Sequence, residues 1–215
     1  MNLARRPVVG VTGLPCSGKS FVARLLASGE VTGEPGLAVK ADAVGHQVLN
    51  ESEVAAKLAE RFGAGILDAE GKPERRKIAA AVFSNPDALR WLEGLLHPRI
   101  DRVIAGMIAA AGGSRPLIVE AALLFAAGME KRCDIVLVVE ADREARLRRA
   151  ADRGWSEEEL TRRENRLLPL FAKVREEGCG TRCETIDNNG KNGLDGLKAR
   201  LAEALVAVMD MKGQP

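Results

Sequence analysis

The chain has 215 residues, enough for one α/β domain with insertions or two small domains, and either can bury a sizeable core without disulfide or metal staples. Lys plus Arg number 32 against 30 Asp plus Glu, a formal charge of +2 that argues against nucleic acid as the main partner, and 3% aromatic residues with no tyrosine give no base-stacking platform. No stretch approaches the ~18 consecutive apolar residues of a membrane span, and Met1 to Arg6 lacks the apolar core of a signal peptide, so a cytoplasmic chain without membrane association is expected.

The first predicted element is the apolar strand Val8-Val9-Gly10-Val11-Thr12. It runs into Gly13-Leu14-Pro15-Cys16-Ser17-Gly18-Lys19-Ser20, and from Ser20 through Phe21 to Leu26 apolar residues recur at helical spacing. A G-x-x-x-x-G-K-S loop between a strand and a helix is a phosphate cradle. Its glycines let successive backbone N–H groups turn toward a phosphate, and the helix N-terminus adds partial positive charge. Lys19 is placed to reach between the β- and γ-phosphates of ATP, and the Ser20 hydroxyl to coordinate a bridging Mg²⁺. Residues Gly13 to Phe21 are therefore the candidate nucleotide-binding set.

Leu37-Ala38-Val39 before Asp42, Pro116-Leu117-Ile118-Val119 before Glu120, Asp134 to Val139 before Glu140 and the short Glu184-Thr185-Ile186 are further apolar runs. They predict a three-layer α/β/α fold with five short parallel strands and helical crossovers, whose carboxyl ends line one ligand-binding edge. Glu140 and Asp142 fit the start of a helix, where carboxylates are favoured. Asp42 fits both an N-cap for a helix over Ala43 to Leu49 and a carboxylate facing an acceptor hydroxyl.

Roughly 70 residues between the second and third strands read as helix, more than a crossover requires, and predict an inserted subdomain. Asn85-Pro86 is a cap and first-turn proline, and Trp91, Leu92, Leu95 and Leu96 mark one buried face. His97-Pro98 is expected to break that helix, with a second running from Pro98 to Gly112-Gly113. After the fourth strand, Asp142 to Arg153 forms an arginine-rich helix ended by Gly154, and Ser156-Glu157-Glu158-Glu159 is a capping box opening another. Arg146, Arg149 and Arg153 share a face, while Arg162, Arg163 and Arg166 cluster on the second helix. The hairpin reads as a lid that folds arginines over a transferring phosphate. The expected organisation is a nucleotide-binding core over 1–44, 114–141 and 173–215, a helical substrate-binding insertion over 45–113 and a lid over 142–172, with Met211 to Pro215 a loose tail. The four cysteines do not read as a disulfide framework, and Cys179-Gly-Thr-Arg-Cys183 lacks nearby imidazoles for a zinc site, since His46 and His97 are the chain's two histidines.

A phosphate cradle, a metal ligand, a carboxylate and mobile cations are the four parts of a phosphoryl-transfer site. No Asn-Lys-x-Asp segment for guanine and no LSGGQ-like signature is present. The residues leave open a small-molecule, nucleoside or nucleotide kinase, and a non-catalytic nucleotide-binding regulator that keeps only the cradle.

The chain resembles the dephospho-coenzyme A kinases along nearly its whole length. The resemblance rests on Gly10 through Ser20, Ala41-Asp42, Gly71-Lys72-Pro73-Glu74-Arg75-Arg76, Val82-Phe83-Ser84-Asn85-Pro86, Trp91-Leu92, Leu96-His97-Pro98-Arg99-Ile100, Leu123-Leu124-Phe125 and Ile186-Asp187-Asn188-Asn189-Gly190. It implies ATP-dependent phosphorylation of the ribose 3′-hydroxyl of dephospho-CoA, with Asp42 as base and Lys19, Arg149 and Arg153 at the phosphates. It also implies Arg75, His97 and Pro98 on the dephospho-CoA side and Asn188 and Asn189 on the adenine side. The chain departs from the family's pattern at three places. It has Lys40-Ala41-Asp42 for the common Asp-Ala-Asp, Ala122-Leu123-Leu124-Phe125-Ala126 for Pro-Leu-Leu-x-Glu, and Leu167 for a common glutamine. Lys40 is expected to share a strand face with Asp42 and pair with it, and Glu120 to supply replacement negative charge at the metal.

Overall fold

The computed structural model describes residues 7–83, 85–111, 115–190 and 193–209. The expected helix end at Gly112-Gly113, Ser84 and the Met211 to Pro215 tail lie outside them. The chain divides into two compact units, 1–40 with 107–215 and 41–106.

The larger unit is built on five strands: β1 (Val8–Thr12), β2 (Leu37–Lys40), β3 (Leu117–Glu120), β4 (Ile135–Glu140) and β5 (Cys183–Asp187). All pair in parallel in the order β2-β3-β1-β4-β5. Parallel strands covered on both faces need apolar side chains on both, which is why β1 and β4 are continuous valine-rich runs and every residue of β1 is buried. One face carries Val9, Val11, Leu137 and Ile186 against helix α1 (Lys19–Ala27) and the C-terminal helix. On the opposite face a side chain at Gly10 would lie 2.9 Å from both Cys133 Sγ and Leu124, so residue 10 is held small by packing. Sheet and covering segments make the expected three-layer α/β fold. The loops after β1, β3 and β4 leave the sheet side by side, which concentrates functional residues at that edge.

The smaller unit contains α2 (Ala41–Leu49), α3 (Ser52–Phe62), α4 (Arg75–Phe83) and most of α5 (Pro86–Ala110). Val44, Val48, Leu58, Ile78, Leu92 and Ile100 are buried, and Phe62 meets Trp91 edge to face at 5.5 Å. The Asn85 side chain caps α5 by accepting from the Asp87 and Ala88 amides, both at 3.1 Å.

Four expectations are corrected. His97-Pro98 does not break the helix, because α5 continues through Pro98 to Ala110. The buried stripe Leu92, Leu95, Ile100 and Ile104 passes the proline on both sides, and Arg99 Nη1 donates to the Leu95 carbonyl at 3.0 Å beside the ladder position the proline ring leaves open. Asp42 is not an N-cap, since α2 already begins at Ala41 and places Asp42 in its first turn. The strand-face argument pairing it with Lys40 fails for the same reason, and Lys40 lies opposite Glu120 in the sheet register. Finally, Cys179 and Cys183 are joined in a disulfide across the short loop entering β5, while Cys16 and Cys133 are free and buried.

The remaining helices are α6 (Arg143–Ala151), α7 (Glu157–Asn165), α8 (Leu168–Glu177) and α9 (Gly193–Met209). Ser156 Oγ accepts from the Glu159 amide at 3.2 Å, as the capping box predicts. Helices α6 and α7 are joined by the buried Glu164 carboxylate, which accepts from Arg146 at 2.5 Å and Arg143 at 2.8 Å.

Candidate active site

The loop from Gly13 to Gly18 wraps the end of β1 and delivers Lys19 and Ser20 as the first residues of α1. Gly13 at φ 149° and Gly18 at φ 102° adopt backbone that side chains resist, and space forbids them as well. A Cβ at Gly13 would sit 2.2 Å from the Val139 carbonyl oxygen, and one at Gly18 would sit 2.0 Å from Asn188 Nδ2. Cys16 is the one non-glycine at positive φ among the described residues, at 61°. Its buried side chain packs with Ala150 and Leu160, with Leu147 and Trp155 alongside, so hydrophobic contact with the hairpin offsets the backbone strain. The Ser17 hydroxyl is buried without a hydrogen-bond partner among the described residues.

Lys19 Nζ donates to the Gly13 and Leu14 carbonyls, each at 3.0 Å. These are neutral acceptors within its own loop, and phosphate oxygens are stronger ones. Ser20 Oγ donates to Glu120 Oε1. Residue 20 lies in the first turn of α1 and residue 120 ends β3 beside β1, so the fold joins the two expected metal ligands. A hydroxyl and a carboxylate are the hard oxygen donors Mg²⁺ takes alongside phosphate oxygens, so the pair fits that ion.

Across the loop, Arg149 reaches from α6 to the Cys16 carbonyl at 3.2 Å, the Ser17 carbonyl at 3.0 Å and the Asn188 carbonyl at 2.6 Å. Asn188 Nδ2 donates to the Ser17 carbonyl at 2.8 Å. Asn189 Oδ1 accepts from the Asp142 amide at 2.6 Å and so fixes the start of α6 to the end of β5. The phosphate loop, the first hairpin helix and the Asn188-Asn189 turn thereby form one hydrogen-bonded set.

A cavity of about 400 Å³ opens on this flank, lined by Lys19, Ser20, Phe21, Arg24, Arg149 and Arg153 among others. Phe21, 41% exposed, offers an aromatic face there. Arg153 and Arg163 also lie against the Trp155 ring, at 5.8 and 4.2 Å. Arg162 and Arg163, two residues of the second arginine cluster, pair with Glu159 within the hairpin itself. Sequence reading missed Arg24, although it lies one helical turn beyond Ser20, and missed the buried Glu164, whose partners are separated from it by a loop.

A second cavity, of about 610 Å³, lies on the other flank of the loop, bounded by Gly13, Leu14, the end of β4 and helix α8. Leu167 is buried at the foot of α8. In the smaller unit Asp42 is exposed in the first turn of α2 and Arg75 is exposed at the start of α4. His97 is half-buried and Pro98 exposed within α5.

A parallel sheet in this order, with a G-x-x-x-x-G-K-S loop after its central strand and a carboxylate one strand away, defines a phosphate-loop nucleotide-binding protein of the kinase type. The dephospho-CoA kinase family profile matches residues 7–190. A dephospho-CoA kinase from Rhodopirellula baltica is 34% identical over 96% of this chain and 93% of its own, and one from Deinococcus radiodurans is 36% identical over 92% and 90%. The crystal structure of TT1252 from Thermus thermophilus superposes with a TM-score of 0.73 at 30% identity, covering 94% of this chain and 97% of that one. The chain belongs to the dephospho-CoA kinase family.

Proposed function

We propose that the protein transfers the γ-phosphoryl group of ATP to the ribose 3′-hydroxyl of dephospho-CoA, giving coenzyme A. The observation that carries this reading is the convergence of Lys19, Ser20, Glu120, Arg149 and Asn188 on one loop in a chain of this family. The loop's backbone N–H groups and the N-terminus of α1 bind the phosphates. Lys19 exchanges its two carbonyl partners for phosphate oxygens and neutralises charge that develops during transfer. Arg149 and Arg153 supply further cationic donors from α6, and Asn188 and Asn189 bound the adenine side. Ser20 and Glu120 would hold Mg²⁺, which when bound supplies a second positive charge at the β- and γ-phosphates. Asp42 orients the acceptor hydroxyl and takes its proton, and Arg75, His97 and Pro98 belong to the acceptor side. The core, insertion and lid divide the work as nucleotide binding, acceptor binding and water exclusion, in a cytoplasmic enzyme.

The test is steady-state ADP release from Mg-ATP with and without dephospho-CoA. Release that depends on dephospho-CoA, with formation of coenzyme A, is expected. Equal release in both arms, or none, would contradict the assignment.

A further inference from the structure

The second cavity contrasts chemically with the first. Leu14, Val139 and, from α8, Leu168, Pro169, Phe171 and Ala172 give it apolar surface, while Glu140, Asp142 and Asp187 bring carboxylates and Ser17 and Asn189 neutral polar groups. Its two arginines are engaged by protein groups. Arg175 donates to Glu140 at 2.5 Å, and Arg146 donates to Glu164 at 2.5 Å and to the Ala141 carbonyl at 3.0 Å. With its arginines engaged and carboxylates in its lining, the cavity suits an uncharged guest that carries both apolar surface and hydrogen-bonding groups rather than a phosphate.

We propose that this cavity binds the pantetheine arm of dephospho-CoA. The proposal rests on the kinase reading above and adds a subsite to it. Dephospho-CoA carries its negative charge in the diphosphate, whereas the pantetheine arm is neutral, with a geminal dimethyl group, two amides and a thiol. A cavity with apolar side chains can bury the dimethyl group and methylenes of that arm, its polar groups can meet the amides, and its carboxylates disfavour a phosphate. Lys19, Arg24, Arg149 and Arg153 all line the opposite flank of the loop, which suits the nucleotide donor. The flank that begins at Gly13 and Leu14 offers about 610 Å³, within the size range of small-molecule sites. Leu168, 44% exposed, and the exposed Ala172 lie one helical turn apart on α8, where a guest would cover both. Because α8 follows directly after the hairpin, contact with the arm would also reward the acceptor far from its reacting hydroxyl, the usual source of discrimination against truncated substrates.

Ala172→Trp fills the cavity from an exposed helix position. It is expected to raise KM for dephospho-CoA about tenfold or more while moving KM for ATP less than about twofold. An unchanged KM for dephospho-CoA, or equal rises in both constants, would overturn the subsite. Hydrogen exchange on the wild-type protein gives a second measurement that does not depend on the variant's folding. Dephospho-CoA is expected to slow amide exchange across 168–175, and a non-hydrolysable ATP analogue alone is not. Absence of that protection, or the same protection from the ATP analogue, would also overturn it. If the wild type fails to phosphorylate dephospho-CoA, the kinase reading falls, while protection of 168–175 by dephospho-CoA would still uphold the cavity assignment.

Discussion

The two flanks of the phosphate loop are built from opposite materials. On one, Lys19, Arg24, Arg149 and Arg153 converge with backbone carbonyls and the Asn188 amide. On the other, Leu14 faces the apolar side chains of α8, and the neighbouring arginines are paired with carboxylates. One loop thus separates a region of converging cations from a region where apolar side chains mix with carboxylates. A single sequence motif announces only the first, because the second is assembled from β4 and α8, segments about 30 residues apart in the chain.

Removing charge from the polar flank is the most severe way to break this contrast. Lys19→Ala is expected to lower the transfer rate on the order of 10³–10⁵-fold, the range for losing a cation at a transferring phosphoryl group. Its half-buried side chain donates to the Gly13 and Leu14 carbonyls of its own loop and adds no apolar contact to the core clusters, so the thermal midpoint should hold. Single-turnover transfer with a parallel melting curve checks both halves.

Asp42→Asn sharpens the comparison by separating chemistry from nucleotide binding. The rate should fall on the order of 10²–10⁴-fold with ATP affinity nearly unchanged, as for loss of a positioned base. Transfer at the wild-type rate would remove Asp42 from its role and make Glu120 the next residue to test.

The cradle's shape is tested by Gly18→Ala. The added methyl meets Asn188 Nδ2 in a backbone conformation at φ 102°, and strain of about 1–3 kcal/mol should weaken ATP binding roughly tenfold. Titration calorimetry with an ATP analogue measures it, and unchanged affinity would show that the loop relaxes freely.

The smallest effect concerns the sheet beneath both flanks. Burial, assisted by the negative charges of Asp134 and Glu130, pushes the Cys133 thiol from 9.0 up to about 12. The fold therefore favours the neutral thiol. That contribution is fully present below about pH 9 and is lost as pH rises toward about 12. Cys133→Ala should flatten the alkaline fall in stability, measured by urea unfolding at several pH values.

Where local chemistry decided the structure, the sequence was readable. The phosphate loop, the five apolar strands, the Asn85 cap and the Ser156 capping box each depend on residues within a few positions of one another. The lid arginines were visible as a helical face, but their partners were not. Arg146 is taken by Glu164, and Arg149 by the carbonyls of Cys16, Ser17 and Asn188, all set by tertiary folding. Pro98 misled because a proline's local cost was weighed without the packing of Leu92, Leu95, Ile100 and Ile104 that carries α5 through it. The bond between Ser20 and Glu120 joins residues 100 positions apart, which parallel pairing of β1 and β3 brings together.

The most direct measurement is a rapid-quench single turnover of the wild-type protein with ATP labelled in its γ-phosphate, excess dephospho-CoA and Mg²⁺, followed by mass and position analysis of the product. The expected result is one labelled phosphoryl group on the ribose 3′-oxygen, appearing at the same rate as ADP. ADP formation with the label released as inorganic phosphate and dephospho-CoA unchanged would contradict it.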